Sequence, residues 1–475
     1  MKRVVVIGNG MAGSRLVEEL LKRDPELEVT VFGAEQRPAY NRILLSDVLS
    51  GKRPAGDVTL TSVARARRFL GTEVSRIDRE AKVVHTADGL SAPYDVLVLA
   101  TGSLPVVPPV QGIAGPDGKL LDGVFVFRTL EDCDAIAARA KRSTRAVVVG
   151  GGLLGLEAAR GLMQHGLDVD VVHGMDHLME LQLDAPGGAV LRKAVESLGV
   201  GVHLGSFASR LVGSRSVKGV GLADGREVKG DLVVLACGVR PNIGVARSAD
   251  LAVEKGVLVD DTLRTSDPSI YALGECAQHR GEVYGLVAPA WEQATVLADV
   301  ITGRPAAYTG SQLVTRLKAM DLEVAAMGDT APGLADVEDG LEVVVYADPA
   351  KHVYKKLVIR DDVLVGALLL GDTATAGPVT QAFERRSPLP SDRHGLLFAP
   401  RKGAAPADLE DDAVVCTCNA VTAGHIRDSG CATVPEVAMK TRATTGCGGC
   451  TSVVQGLLNS CTATSKSGAL ERTVA

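Results

Sequence analysis

Residues 4–7 are a run of four branched apolar side chains that leads directly into Gly8-Asn9-Gly10-Met11-Ala12-Gly13, with a helical pattern from Ser14. A Gly-x-Gly-x-x-Gly run between a buried strand and a helix constrains the fold more than any other feature of the chain. The first glycine turns tightly, the second lets backbone approach a pyrophosphate, and the third allows close helix–strand packing. The anion then rests on unpaired amides at a helix N-terminus. A second strand, residues 29–32, is followed by Glu35, a candidate acceptor for ribose hydroxyls.

The arrangement recurs. Residues 146–149 form another apolar run, leading into Gly150-Gly151-Gly152-Leu153-Leu154-Gly155-Leu156-Glu157. The strand that follows, residues 169–172, ends at His173, where an acidic residue would favour NAD and a nearby arginine its phosphorylated form. Asp176 is the nearby acid and no arginine follows the strand, so the reading leans to NADH and leaves NADP(H) open. His173 itself reads equally well as a nucleotide contact or as a polar strand end.

Near the C-terminus, Cys416 and Cys418 form Cys-x-Cys, and Cys447 and Cys450 form Cys-x-x-Cys. Four thiolates at such spacing hold an iron–sulfur cluster or a structural zinc ion. Glycines around Cys447 would let backbone amides crowd the sulfurs and stabilise thiolate charge. Thr422 is a candidate N-cap for a helix through Ile426, and residues 434–442 and 451–458 carry helical spacing. Cys431 and Cys461 fall outside the pattern.

Composition narrows the partners. A formal net charge of −6, with no dense Lys/Arg stripe, argues against nucleic acid. The apolar runs near residues 95–100 and 363–370 are too short to span a bilayer, and glycines interrupt the N-terminal run before it reads as a signal peptide. Nine cysteines, four of them crowded at ligand spacing, suggest a reducing cytoplasm and not a disulfide framework.

Paired fingerprints of this kind resemble the two-dinucleotide-binding, glutathione-reductase-like flavoproteins, in which the first holds FAD and the second a nicotinamide. Accessory stretches strengthen the likeness. Ala100-Thr101-Gly102 is similar to the segment returning to the FAD domain, and Gly238-Val239-Arg240-Pro241-Asn242 to the exit from the nicotinamide domain. Ile270-Tyr271-Ala272-Leu273-Gly274-Glu275 resembles the strand and acid that meet FAD, with Glu275 one methylene longer than the family's usual Asp. Pro38-Ala39-Tyr40-Asn41-Arg42 is similar to the flavin-side loop of ferredoxin, rubredoxin and nitrite reductase flavoproteins. Tyr284-Gly285-Leu286-Val287-Ala288-Pro289 resembles the FAD portion of assimilatory NADH nitrite reductase large subunits. The cysteine module is similar to bacterioferritin-associated ferredoxin.

The resemblance implies an α/β fold with two Rossmann-like domains, an α+β interface domain and a small helical [2Fe–2S] domain. FAD is expected on residues 1–108 and 243–320, a nicotinamide nucleotide on 109–242, an interface domain at 321–400, a linker at 401–412 and the cluster module at 413–475. It also implies that Cys416, Cys418, Cys447 and Cys450 ligate the cluster, that Glu157 orients the nicotinamide, and that Arg42 and Glu275 hold the isoalloxazine end of FAD. No cysteine pair lies beside residues 44–47, so thiol–disulfide reduction is not expected, and Cys133, Cys237 and Cys276 read as small buried apolar residues. No sirohaem or molybdenum-cofactor region resembling those of nitrite and nitrate reductases occurs in the 475 residues. The expected role is therefore electron transfer to a separate catalytic subunit, nitrate reductase first and nitrite reductase second. A stand-alone NADH:ferredoxin or rubredoxin reductase is the alternative, followed by a redox-sensing or iron-storage binding protein. Homo-oligomerisation stays open, since the third domain often forms an interface in that family.

Overall fold

The computed structural model describes residues 1–60, 64–115, 118–320, 322–336, 339–398, 409–416, 419, 421–445, 450–451 and 453–459. The chain divides into two compact units, the first comprising Met1–Val106, Arg128–Leu130 and Gly238–Leu313, the second comprising Val107–Phe127, Glu131–Cys237 and Val314–Ala475.

The first unit is built on a five-stranded parallel sheet. Its order is Ile270–Ala272, Val96–Leu99, Arg3–Ile7, Glu28–Gly33 and Arg67–Leu70. Period-2 alternation explains why strand Arg3–Ile7 is apolar from Val4 onward: a parallel strand with both faces covered has no wet side. Val4 and Val6 face a cluster with Leu16, Leu20 and Leu297, from helices Met11–Arg23 and Val287–Ile301. Val5 and Ile7 face the other way, against Val74, Ile77, Val84 and Tyr94 of a small antiparallel sheet and its flank.

The second unit repeats the plan. Gly201–His203, Asp168–Val172, Arg145–Val149, Leu232–Leu235 and Val124–Val126 make another five-stranded parallel sheet. Helices Leu153–Gln164 and Ala185–Ser197 follow its strands. From Val314 the periodicity changes, and five antiparallel strands form in the order Val314–Ala319, Leu322–Gly328, Val363–Leu370, Val353–Arg360 and Leu341–Asp348. Helix Ala376–Arg385 covers one face with Val379 and Phe383.

The C-terminal module pairs Val414–Cys416 with Val421–Thr422. Thr422 caps helix Ala423–Asp428 by accepting the His425 N–H, and Thr433 with Glu436 forms a reciprocal capping box on Val434–Thr441. These caps matter because helices of six and eight residues are too short to persist on propensity alone. Their apolar faces meet Cys416, Cys450, Val454 and Leu457 in one core. Among the described residues no helix is long and apolar enough to cross a membrane.

Candidate functional site

In the first fingerprint, Gly8 has φ +118°, and a Cβ there would sit 2.0 Å from the Ala100 carbonyl oxygen. A Cβ on Gly13 would lie 2.1 Å from the Gly8 carbonyl oxygen, whereas one on Gly10 would meet nothing within 4 Å. Two glycines are thus demanded by backbone-on-backbone packing, and the third fronts open space. The helix begins at Met11, earlier than its sequence pattern suggests, with Gly13 inside its first turn and Ala12 beside it. Gly10 supplies no side-chain cap and the first turn carries no acid, so the amides there are available to an anion. Asn9 is half-buried as a residue, but both atoms of its side-chain amide are buried without a hydrogen bond. An orphaned buried amide beside an open glycine fits a polar cofactor.

Glu35, Tyr40 and Arg42 form one network. The Tyr40 hydroxyl donates to Glu35 Oε2 at 2.6 Å, Arg42 Nη1 donates to that hydroxyl at 2.8 Å, and the Arg42 guanidinium pairs with Glu35. Burial pushes the Tyr40 phenol well up. Burial opposes the charge of Arg42, but Tyr40 and Glu35 outweigh it and raise its affinity for its proton. Glu275 follows Gly274, whose φ is +76° and whose N–H donates to Gln293 Oε1 at 2.7 Å. The Glu275 carboxylate accepts from Ser103 Oγ at 2.8 Å and pairs with Arg128. Arg128 escaped the sequence reading because 147 residues separate it from Glu275. Thr101 Oγ1 donates to the Asn242 carbonyl at 2.6 Å, and Gly102 accepts the Asn242 N–H at 2.8 Å. Strands Ser103–Pro105 and Val239–Pro241, the latter entered through Gly238 at φ +90°, then run side by side. Val287 opens its helix and Pro289 is buried in the first turn.

The second fingerprint has the same geometry. Gly150 has φ +123° and its Cβ would lie 2.2 Å from the Ala236 carbonyl oxygen; that of Gly155 would lie 1.9 Å from the Gly150 oxygen. Gly152 again fronts open space and caps helix Leu153–Gln164 without a side chain. Leu153 and Leu154 are half-buried in the first turn, as is Glu157 one residue beyond Leu156. His173 lies under the loop, where Nδ1 accepts the Gly151 N–H at 3.1 Å and Nε2 meets Glu180 Oε2 at 2.9 Å. Cys237 is half-buried, and burial pushes its thiol up to about 11; Cys133 and Cys276 are buried.

In the cysteine module, Cys416 and Cys450 are buried together. A hydrogen bond from Cys450 pulls the Cys416 thiol down to about 6 against its burial, helped by the amides of Thr444 and Asn419. Thiolate-stabilising donors around paired sulfurs suit a cationic metal centre. Cys418 and Cys447 lie outside the described residues, and among the described residues no group of three or more His, Cys, Asp or Glu is assembled for a metal ion.

Comparison with known proteins agrees with this geometry. Residues 2–294 match the pyridine nucleotide-disulphide oxidoreductase profile, 314–387 the rubredoxin NAD+ reductase C-terminal domain, and 414–460 the BFD-like [2Fe–2S] binding domain. The chain is 39% identical to the nitrite reductase [NAD(P)H] of Bacillus subtilis (strain 168), over 96% of this chain and 57% of that protein. It is 38% identical to the assimilatory nitrate reductase electron transfer subunit of the same organism, over 96% of this chain and 59% of that one. The chain therefore spans less than two thirds of the length of these relatives. Among solved structures, the covalent putidaredoxin reductase–putidaredoxin complex aligns with a TM-score of 0.73 and 25% identity, over 82% of this chain and 94% of that one. The matched domains carry FAD, a nicotinamide nucleotide and a [2Fe–2S] cluster as their cofactors. With both glycine cradles inside the 2–294 match, the chain belongs to the pyridine nucleotide-disulphide oxidoreductase family.

Proposed function

We propose that this chain takes electrons from NAD(P)H and delivers them, by way of FAD and the [2Fe–2S] cluster, to a separate catalytic subunit, a nitrate reductase or else a nitrite reductase. The observation that carries the reading is the repetition of one glycine geometry in two parallel-sheet domains, joined in one chain to a buried cysteine pair. When bound, FAD accepts a hydride as an electron pair and the cluster passes electrons singly, chemistry that no side chain of this protein can supply.

The protein's own work is positioning. Gly8, Gly10 and Gly13 open the first cradle, where the amides of Met11 and Ala12 would hold the FAD pyrophosphate. Glu35, fixed by Tyr40 and Arg42, takes ribose hydroxyls. Glu275, held by Ser103 and Arg128, and the segment 100–102 line the flavin side with Val287 and Pro289. In the second cradle Gly150, Gly152 and Gly155 with the amides of Leu153 and Leu154 take the nicotinamide pyrophosphate, and Glu157 orients the carboxamide. Cys416, Cys418, Cys447 and Cys450 hold the cluster. The domain division at 108, 242, 320, 400 and 412 belongs to the same proposal.

The partner is supported by the names of the relatives, one an electron transfer subunit of nitrate reductase and one a nitrite reductase. A stand-alone rubredoxin or ferredoxin reductase is favoured by one observation, the rubredoxin-reductase match over 314–387. Anaerobic titration with NADH tests the proposal. Bleaching of flavin absorbance followed by loss of the cluster bands is expected; a cluster that stays oxidised while the flavin is reduced overturns it.

A further inference from the structure

The segment after strand Asp168–Val172 is tied to the second glycine loop at two points. His173 Nδ1 accepts the Gly151 N–H, and the Gly151 carbonyl accepts the Met179 N–H at 3.0 Å. Met179 holds a left-handed φ of +55° with its side chain fully buried, as is Leu178. The next residue, Glu180, is thereby fixed near Gly151, the residue between the first two glycines of the fingerprint. Because His173 Nδ1 is an acceptor, its proton is on Nε2, which donates to Glu180 Oε2 at 2.9 Å. His173 is spent on this alignment, while the Glu180 carboxylate is a quarter exposed and has no other hydrogen-bond partner among the described residues.

A second observation points to a ligand at the same place. The ring of Phe207 lies against Gly174, so close that a Cβ on that glycine would be 2.2 Å from a ring carbon. Yet Phe207 is 64% exposed, and Met175, next to Gly174 in sequence, is 45% exposed. The Gly205 N–H donates to the Met175 carbonyl at 3.0 Å, which joins the two segments. An exposed aromatic face beside a nucleotide cradle is a stacking shelf. Neither 173–184 nor 201–207 contains a lysine or an arginine.

We propose that this is the adenosine end of the nicotinamide site: Glu180, aimed by His173, accepts an adenosine ribose hydroxyl, Phe207 and Met175 seat the adenine, and the subsite selects NADH against NADPH. The inference rests on the proposed function and deepens it. A ribose hydroxyl donates to a carboxylate, whereas a 2′-phosphate would meet like charge with no lysine or arginine in either segment to pair with it. Glu180 thus does the work of the acid that usually ends this strand, from a position seven residues later, and His173 is its positioning residue.

Steady-state reduction of ferricyanide by the FAD- and cluster-loaded full chain tests this, with kcat and KM measured separately for NADH and NADPH. The unsubstituted protein should prefer NADH by roughly 100-fold or more in kcat/KM. Glu180→Arg should lower that preference at least about tenfold, mainly through KM. Phe207→Ser should raise both KM values by the same factor and leave the preference alone. Both side chains are partly exposed, so retained flavin and an unchanged melting temperature verify folding. A preference unmoved by Glu180→Arg, in protein still reduced by NADH, overturns the subsite. Failure of both nucleotides to reduce the unsubstituted protein overturns the proposed function, and the subsite with it.

Discussion

Lys356 Nζ lies 2.7 Å from Asp184 Oδ2, in a pair whose side chains are 3% and 18% exposed. Asp184 is also the N-cap of helix Ala185–Ser197, accepting the Gly187 N–H, and it accepts the Tyr354 hydroxyl at 2.8 Å. One carboxylate therefore fastens the helix after the nicotinamide-side strands to the antiparallel sheet. The neighbouring Lys355 points to the opposite face, where Asp372 and the Leu397 carbonyl satisfy it.

Removing one member of such a pair strands the other in a dry site. Lys356→Met should destabilise the second unit by about 3–5 kcal/mol, and adding Asp184→Asn should restore part of that loss. Urea unfolding of the single and double variants checks this; strictly additive losses would show that the pair is not coupled.

The same carboxylate gives a pH signature. Burial alone would raise Asp184, but Lys356, Gly187 and Tyr354 outweigh it and hold the group below its ordinary value. A depressed folded-state value means that its stabilisation is complete above the unfolded value of about 4 and is lost as pH falls through the folded one. Melting temperatures should drop less between pH 5 and pH 3 in Asp184→Asn than in the unsubstituted protein, on the order of the single-proton linkage.

Glycine substitutions should separate folding from cofactor retention. Gly13→Ala forces a Cβ into the Gly8 carbonyl and should abolish both. Gly10→Ala meets no protein atom, so the flavin-free protein should melt normally while flavin retention falls at least about tenfold through blocked approach to the pyrophosphate. Absorbance after gel filtration and calorimetry of the flavin-free form distinguish the two.

Cys447→Ser should remove the visible cluster bands and the reduction of the physiological partner, yet leave NADH-dependent flavin bleaching intact. Surviving one-electron delivery to that partner would place the electron exit elsewhere.

The isolated thiols should be inert. With Cys237 pushed up to about 11 by burial and Cys276 also raised by it, iodoacetamide labelling near pH 8 should be slow at both, and at Cys237 it should still accelerate above pH 9. Mass spectrometry of labelled peptides measures it. Fast labelling at neutral pH would revive disulfide chemistry that the sequence around residues 44–47 disfavours.

Both parallel sheets were legible because continuous apolar runs next to glycine fingerprints have few other solutions; the first strand is Arg3–Ile7 where residues 4–7 were expected. The cap at Thr422 was equally readable, being a local hydrogen bond. What sequence hid was long-range and ionic. Nothing near Glu275 announces Arg128, and nothing near Gly151 announces that His173, 22 residues on, spends its ring beneath the loop. The helix start at Met11 was missed because the helical pattern shows only from Ser14, whereas Gly13 sits inside the first turn in close contact with Gly8.

Gly8 leaning on Ala100 and Gly150 leaning on Ala236 are contacts of main chain with main chain, so neither socket depends on its occupant for shape. Newly made polypeptide should consequently shape both sockets before any flavin arrives, and protein made in a cell short of the vitamin should gain activity on resupply without refolding.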